Sequence, residues 1–93
     1  MNIRFNIDPD GEPHIHALNV TAAEVREVLA RPLERTAGRE NTTVVIGRTR
    51  GGRVLKVIHA PSRDGNGIFI ITAYDLPPRQ MRAVNRRLRR KRS

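Results

Sequence analysis

Residues 42–74 read TTVVIGRTRGGRVLKVIHAPSRDGNGIFIITAY, and this stretch decides the fold. Three β-rich runs stand in it: Thr42 to Arg48, Arg53 to Ala60 and Gly67 to Tyr74. Gly51-Gly52 and Asp64-Gly65-Asn66-Gly67 separate them. These residue types supply the positive φ that tight connections need, so the runs read as consecutive hairpins. Val54-Leu55-Lys56-Val57-Ile58 is apolar on both faces apart from one lysine, and Ile68-Phe69-Ile70-Ile71 is apolar throughout. Such strands belong in mid-sheet with something packed on each side.

Upstream, Ile3, Phe5 and Ile7 alternate with Arg4 and Asn6, the period of a half-buried strand, and Asp8-Pro9-Asp10-Gly11 turns the chain. Thr21 and Glu24 have the spacing of a capping box, with Val20 and Val25 at the two hydrophobic-staple positions around it. A helix of about ten residues therefore starts at Ala22. It carries Val25, Val28 and Leu29 on one face and an i,i+4 pair, Glu27 and Arg31, on the other, and Pro32 stops it. Glu34 to Asn41 reads as a polar connection. Downstream, Asp75 is placed to cap, Pro77 and Pro78 suit a first turn, and Met81, Val84 and Leu88 mark a second amphipathic helix whose Arg-rich end frays. The expectation is an α+β fold: a small antiparallel sheet with two helices in the order β-α-β-β-β-α.

The 93 residues suit one domain, 1–93, with a basic tail at 86–93. With no cysteine, the chain has no disulfide, no thiolate nucleophile and no cysteine zinc site. The most apolar run, Ile68 to Ala73, is far shorter than the roughly 20 residues that cross a bilayer. Met1-Asn2-Ile3-Arg4 lacks the apolar segment of a signal peptide, so a cytoplasmic protein without membrane contact is expected.

The net charge of +9 is unevenly placed. Residues 1–78 hold ten basic and nine acidic side chains, a net of +1, whereas residues 79–93 hold eight basic residues and no acid. Sixteen of the eighteen basic residues are arginine, whose forked guanidinium can engage two phosphate oxygens at once. A polyanion contact accounts for that clustering, and a solvated tail that only preserves solubility is the plainer alternative.

The strand, turn and capped-helix opening, then Ile46-Gly47-Arg48-Thr49, Gly52-Arg53-Val54-Leu55 and Ile71-Thr72-Ala73 leading to a basic helix, resemble the BrnT-type toxins of bacterial type II toxin-antitoxin systems. The likeness runs from about Phe5 to Arg90. It implies a RelE-like fold, metal-independent endoribonuclease activity with no cofactor, RNA as substrate, and an antitoxin protein as partner. The family's Lys-His pair before Gly-Val-Ser reads Ala17-Leu18 before Asn19-Val20-Thr21 here, and Tyr74 stands where the family often has arginine. Those departures keep a non-catalytic nucleic-acid or ribosome-binding module, or a protein-interaction module, as the alternative.

Cleavage through the RNA 2'-hydroxyl needs a proton acceptor, positive charge beside the phosphate and a donor for the leaving oxygen. Arg53, His59, Lys56 and Tyr74 are the candidate catalytic groups. Arg53 and His59, six apart, share a strand face, and Lys56 points the other way. Arg53 would stabilise phosphate charge and His59 would shuttle a proton. The plainer reading of His59 is a partly exposed strand-end residue beside Pro61. Lys56 is either a ligand-seeking cation in an apolar strand or an edge lysine that deters pairing, and Tyr74 is either a proton donor or a core residue with a wet hydroxyl. Arg48, Arg79, Arg82, Arg86, Arg87, Arg89 and Arg90 are the candidate nucleic-acid contacts. His14 and His16 lack a third ligand nearby and read as surface residues. Three aromatic residues are too few for a base-stacking platform.

Overall fold

A computed structural model describes residues 2–92, Arg92 by its backbone alone; Ser93, the last residue of the expected basic tail, lies outside the described residues. The elements in chain order are β1 (Asn2–Phe5), α1 (His14–Ala17), α2 (Ala22–Ala30), β2 (Pro32–Ala37), β3 (Thr43–Arg48), β4 (Val54–Pro61), β5 (Gly67–Asp75) and α3 (Pro78–Arg92). The strands form one sheet in the order β1-β5-β4-β3-β2.

The two hairpins form as the turn residues dictate, with β3 antiparallel to β4 and β4 antiparallel to β5, and the two apolar runs occupy the middle of the sheet. Three expectations are corrected. The sheet is mixed, because β1 pairs with β5 in parallel. A fifth strand, β2, arises from PLERTA, which had read as a helix stop and a polar connection. It is an edge strand whose Arg35, Thr36 and Ala37 are all exposed, so no apolar alternation marks it, and its proline sits first in the strand, where no ladder bond is lost. A short helix, α1, adds a third helical element.

The capping box forms in full: Thr21 Oγ1 accepts from the Glu24 N–H at 3.1 Å, and Glu24 Oε1 accepts from the Thr21 N–H at 3.0 Å. Val20 and Val25 are both buried in the same cluster. The Glu27–Arg31 pair does not form; Glu27 accepts instead from the Arg50 backbone N–H, which ties α2 to the β3–β4 turn. Nor does Asp75 cap α3. Its carboxylate is taken by Arg53, Pro77 occupies the cap position, and Pro78 opens the helix, where its missing N–H costs nothing.

Two apolar clusters lie on opposite faces of the sheet. The larger joins Val45, Leu55, Val57, Ile70 and Ala73 to Ile15, Val20, Val25 and Val28 under α1 and α2. Gly47 lets α2 approach closely, since a Cβ there would meet Val28 Cγ1 at 2.9 Å and the Val28 carbonyl at 3.1 Å. The smaller cluster is Ile46, Leu76 and Val84 with Val54, Met81 and Leu88, and it seats α3 on the other face. The arginine-rich stretch continues α3 as far as Arg92. No helix among the described residues is long and apolar enough to cross a membrane.

Candidate nucleic-acid interface

The four candidate catalytic residues do not converge. Arg53 immediately precedes β4, and all three nitrogens of its guanidinium donate hydrogen bonds. Nη1 donates to the Asn19 carbonyl at 2.7 Å and to both Glu24 oxygens at 3.0 and 3.1 Å. Nε and Nη2 donate to Asp75 at 3.2 and 3.0 Å. The hydrogen bond to Asp75, then the one to Glu24, raises its pKa above the ordinary arginine value. Arg53 is a clamp joining the start of α2, the Asn19 turn and the end of β5.

Because Asp75 is two-thirds exposed, solvent screens part of the clamp. Arg53→Ala should lower the unfolding midpoint by about 4–8 °C in a thermal melt, the equivalent of about 1 kcal/mol for a chain this size. An unchanged midpoint would contradict the clamp.

His59 lies six residues further along the same face, about 20 Å at strand rise. It is buried, only 4% exposed, rather than partly open at a strand end, and its Nε2 has no hydrogen-bond partner among the described residues. Burial, with the nearby Arg35 charge second, pushes its pKa below the ordinary 6.5. The unfolded chain therefore takes the proton first. Stability is complete above pH 6.5 and falls as the pH drops below it, by up to about 1.4 kcal/mol per unit until the folded form also protonates. Denaturant midpoints at pH 7.5 and 5.5 should show this loss, and His59→Leu should flatten it; an equal loss in the variant would assign it to other groups.

Lys56 projects from the opposite face, as the spacing requires. It lies in a central strand, which excludes an edge role. Its register partner on β5 is Tyr74, half-buried on the same face. Lys56 Nζ donates to Gln80 Oε1 of α3 at 3.3 Å and has no acidic partner among the described residues. Between this face and α3 runs a groove of about 600 Å³, lined by Glu34, Thr36, Val44, Ile46, Lys56, Gln80, Arg87 and Lys91 among others. Arg87 grips Glu34 with two bonds, one of them 2.7 Å, and holds that carboxyl below its ordinary range. This pair latches α3 to β2. Sequence reasoning had no signal for it, since Glu34 sat in an apparently structureless polar stretch.

At about 100° per residue, α3 has three distinct faces. Met81, Val84 and Leu88 point to the sheet. Gln80, Arg87 and Lys91 line the groove. Arg79, Arg82, Arg86 and Arg89 fall on the outer side, all exposed, and none has an acidic partner among the described residues. Arg82, Asn85, Arg86 and Arg89 border a shallow open hollow. Arg90 follows on the same side, and Arg48 is exposed at the end of β3, whose partner Val54 packs under α3. His14 and His16 pair with Asp8 and Glu12 at the surface.

Comparison with family models, curated proteins and solved structures gives no match to any of the three.

Proposed function

We propose that the protein binds RNA through its backbone phosphates, along the outer face of α3. The observation that carries this reading is the row Arg79, Arg82, Arg86 and Arg89: four exposed guanidiniums on one side of a helix that the apolar cluster and the Glu34–Arg87 pair hold in place. A fixed row of forks with no acidic partner among the described residues suits phosphate oxygens spaced along a backbone, and released counterions favour binding. The likeness to BrnT-type toxins favours RNA over DNA as the ligand. Fluorescence titrations with matched RNA and DNA hairpins over a salt series test it. The expected result is tighter binding to RNA, with log affinity falling about 3–4 per log unit of salt. Salt-independent binding, or none, would overturn it.

An endoribonuclease reading, with the antitoxin partner that belongs to it, has one support: Lys56 and Tyr74 face each other beside the groove. Against it stands the lack of a good proton acceptor beside the groove among the described residues. Glu34, the carboxylate in the groove, is held ionised by Arg87 and is a weak base, and His59 lies buried on the other face. The RNA should stay intact on incubation with the protein in chelator. Chelator-resistant cleavage would favour the enzyme.

A further inference from the structure

We propose that the groove between α3 and the sheet receives a terminal phosphate of the bound RNA, an inference that rests on the RNA-binding reading. The groove lies on a different side of α3 from the outer arginines, so it is a separate site. Its charges are specific. Arg87 and Glu34 cancel each other in their ion pair. Arg35 also borders the groove, but it is the register partner of Val45 and acts on His59, which puts its charge on the opposite face of the sheet. Lys56 and Lys91 remain, and neither has a carboxylate within ion-pair distance among the described residues. Lys91 nonetheless lies close enough to Glu34 to help lower its pKa.

The surplus is two positive charges. A phosphodiester inside a chain carries one negative charge, whereas a terminal phosphate carries about 1.5–2 at neutral pH. The terminal group is the better match. Lys56 is half-buried on an apolar face beside Val44 and Ile46, and among the described residues its ammonium donates to one neutral amide oxygen, at 3.3 Å. Val44 and Ile46 give the terminal nucleotide an apolar floor, and about 600 Å³ is enough room for it.

The test is a binding titration of the full chain with one RNA sequence carrying a 5'-phosphate, a 3'-phosphate or hydroxyl ends. One phosphorylated form should bind about tenfold more tightly than the hydroxyl form, and which one does so identifies the end recognised. Lys56→Gln should abolish that preference and Lys56→Arg restore it. Equal binding of all three RNAs to the unaltered protein would overturn the groove proposal while leaving α3 as the contact. If no RNA binds, the RNA reading fails, and amide shifts on titration with inorganic phosphate decide the groove alone. Shifts at Thr36, Lys56 and Gln80 would support it, and their absence would overturn it.

Discussion

Replacing Arg82, Arg86 and Arg89 together with glutamine should weaken RNA binding by about 100-fold or more near 0.1 M salt, and should lower the salt slope by about three. Each guanidinium that meets a phosphate releases roughly one counterion, so three lost contacts remove close to three logarithmic units at that ionic strength. The fold should not suffer. All three side chains are exposed, none is held by an acid among the described residues, and glutamine keeps good helix propensity. Easing the repulsion along an acid-free row should hold the thermal midpoint level or raise it slightly. Binding that survives with an unchanged slope would place the contact elsewhere. Arg87 is a poor choice for the same experiment, because its loss would also free α3 from Glu34.

Gly67→Ala should be the most damaging single change to the fold, costing about 3 kcal/mol or more. Gly67 has φ +133°, a conformation that L side chains rarely adopt, and a Cβ there would collide with the Asn2 carbonyl oxygen and stand 2.8 Å from its carbon. Both atoms are backbone, so neither can rotate away. Asn2 and Gly67 are register partners at the start of the parallel β1–β5 pair. The substitution must therefore push β1 off the sheet edge and uncover Ile3, Phe5 and Ile68, which pack on the main core. A chain this size should lose more than 10 °C in its thermal midpoint. A midpoint within a few degrees of the unaltered protein would show that β1 contributes little to the sheet. Gly11 is the useful comparison: it also has positive φ, at +87°, but a Cβ there meets nothing within 4 Å. Gly11→Ala should cost only the backbone strain, about 1 kcal/mol.

Where a residue pattern states its own geometry, the sequence was sufficient. The Thr21–Glu24 box, the Gly-rich turns and the apolar runs of β4 and β5 each encode a local structure that tertiary packing only has to accept. β2 escaped because an edge strand with exposed polar side chains on both faces has no periodicity to read, and Pro32 signals only the end of α2. The parallel pairing of β1 escaped because it joins residues about 65 positions apart and no local feature distinguishes parallel from antiparallel. The same limit governs the site. Parity along β4 correctly separated Lys56 from Arg53 and His59. It could not show that Arg53 is consumed by Glu24 and Asp75, nor that Glu34 reaches Arg87, because both depend on partners brought in by folding. The charge count located the basic helix but said nothing of its three faces, which exist only once Met81, Val84 and Leu88 have chosen the side that meets the sheet.

The most direct measurement of the central claim is a residue-by-residue map of amide shifts as the full chain is titrated with a hairpin RNA. Binding through α3 predicts saturable shifts concentrated between Arg79 and Arg90, with the α2 segment from Ala22 to Ala30 unmoved. Shifts centred on α1 and α2 with α3 silent would contradict it.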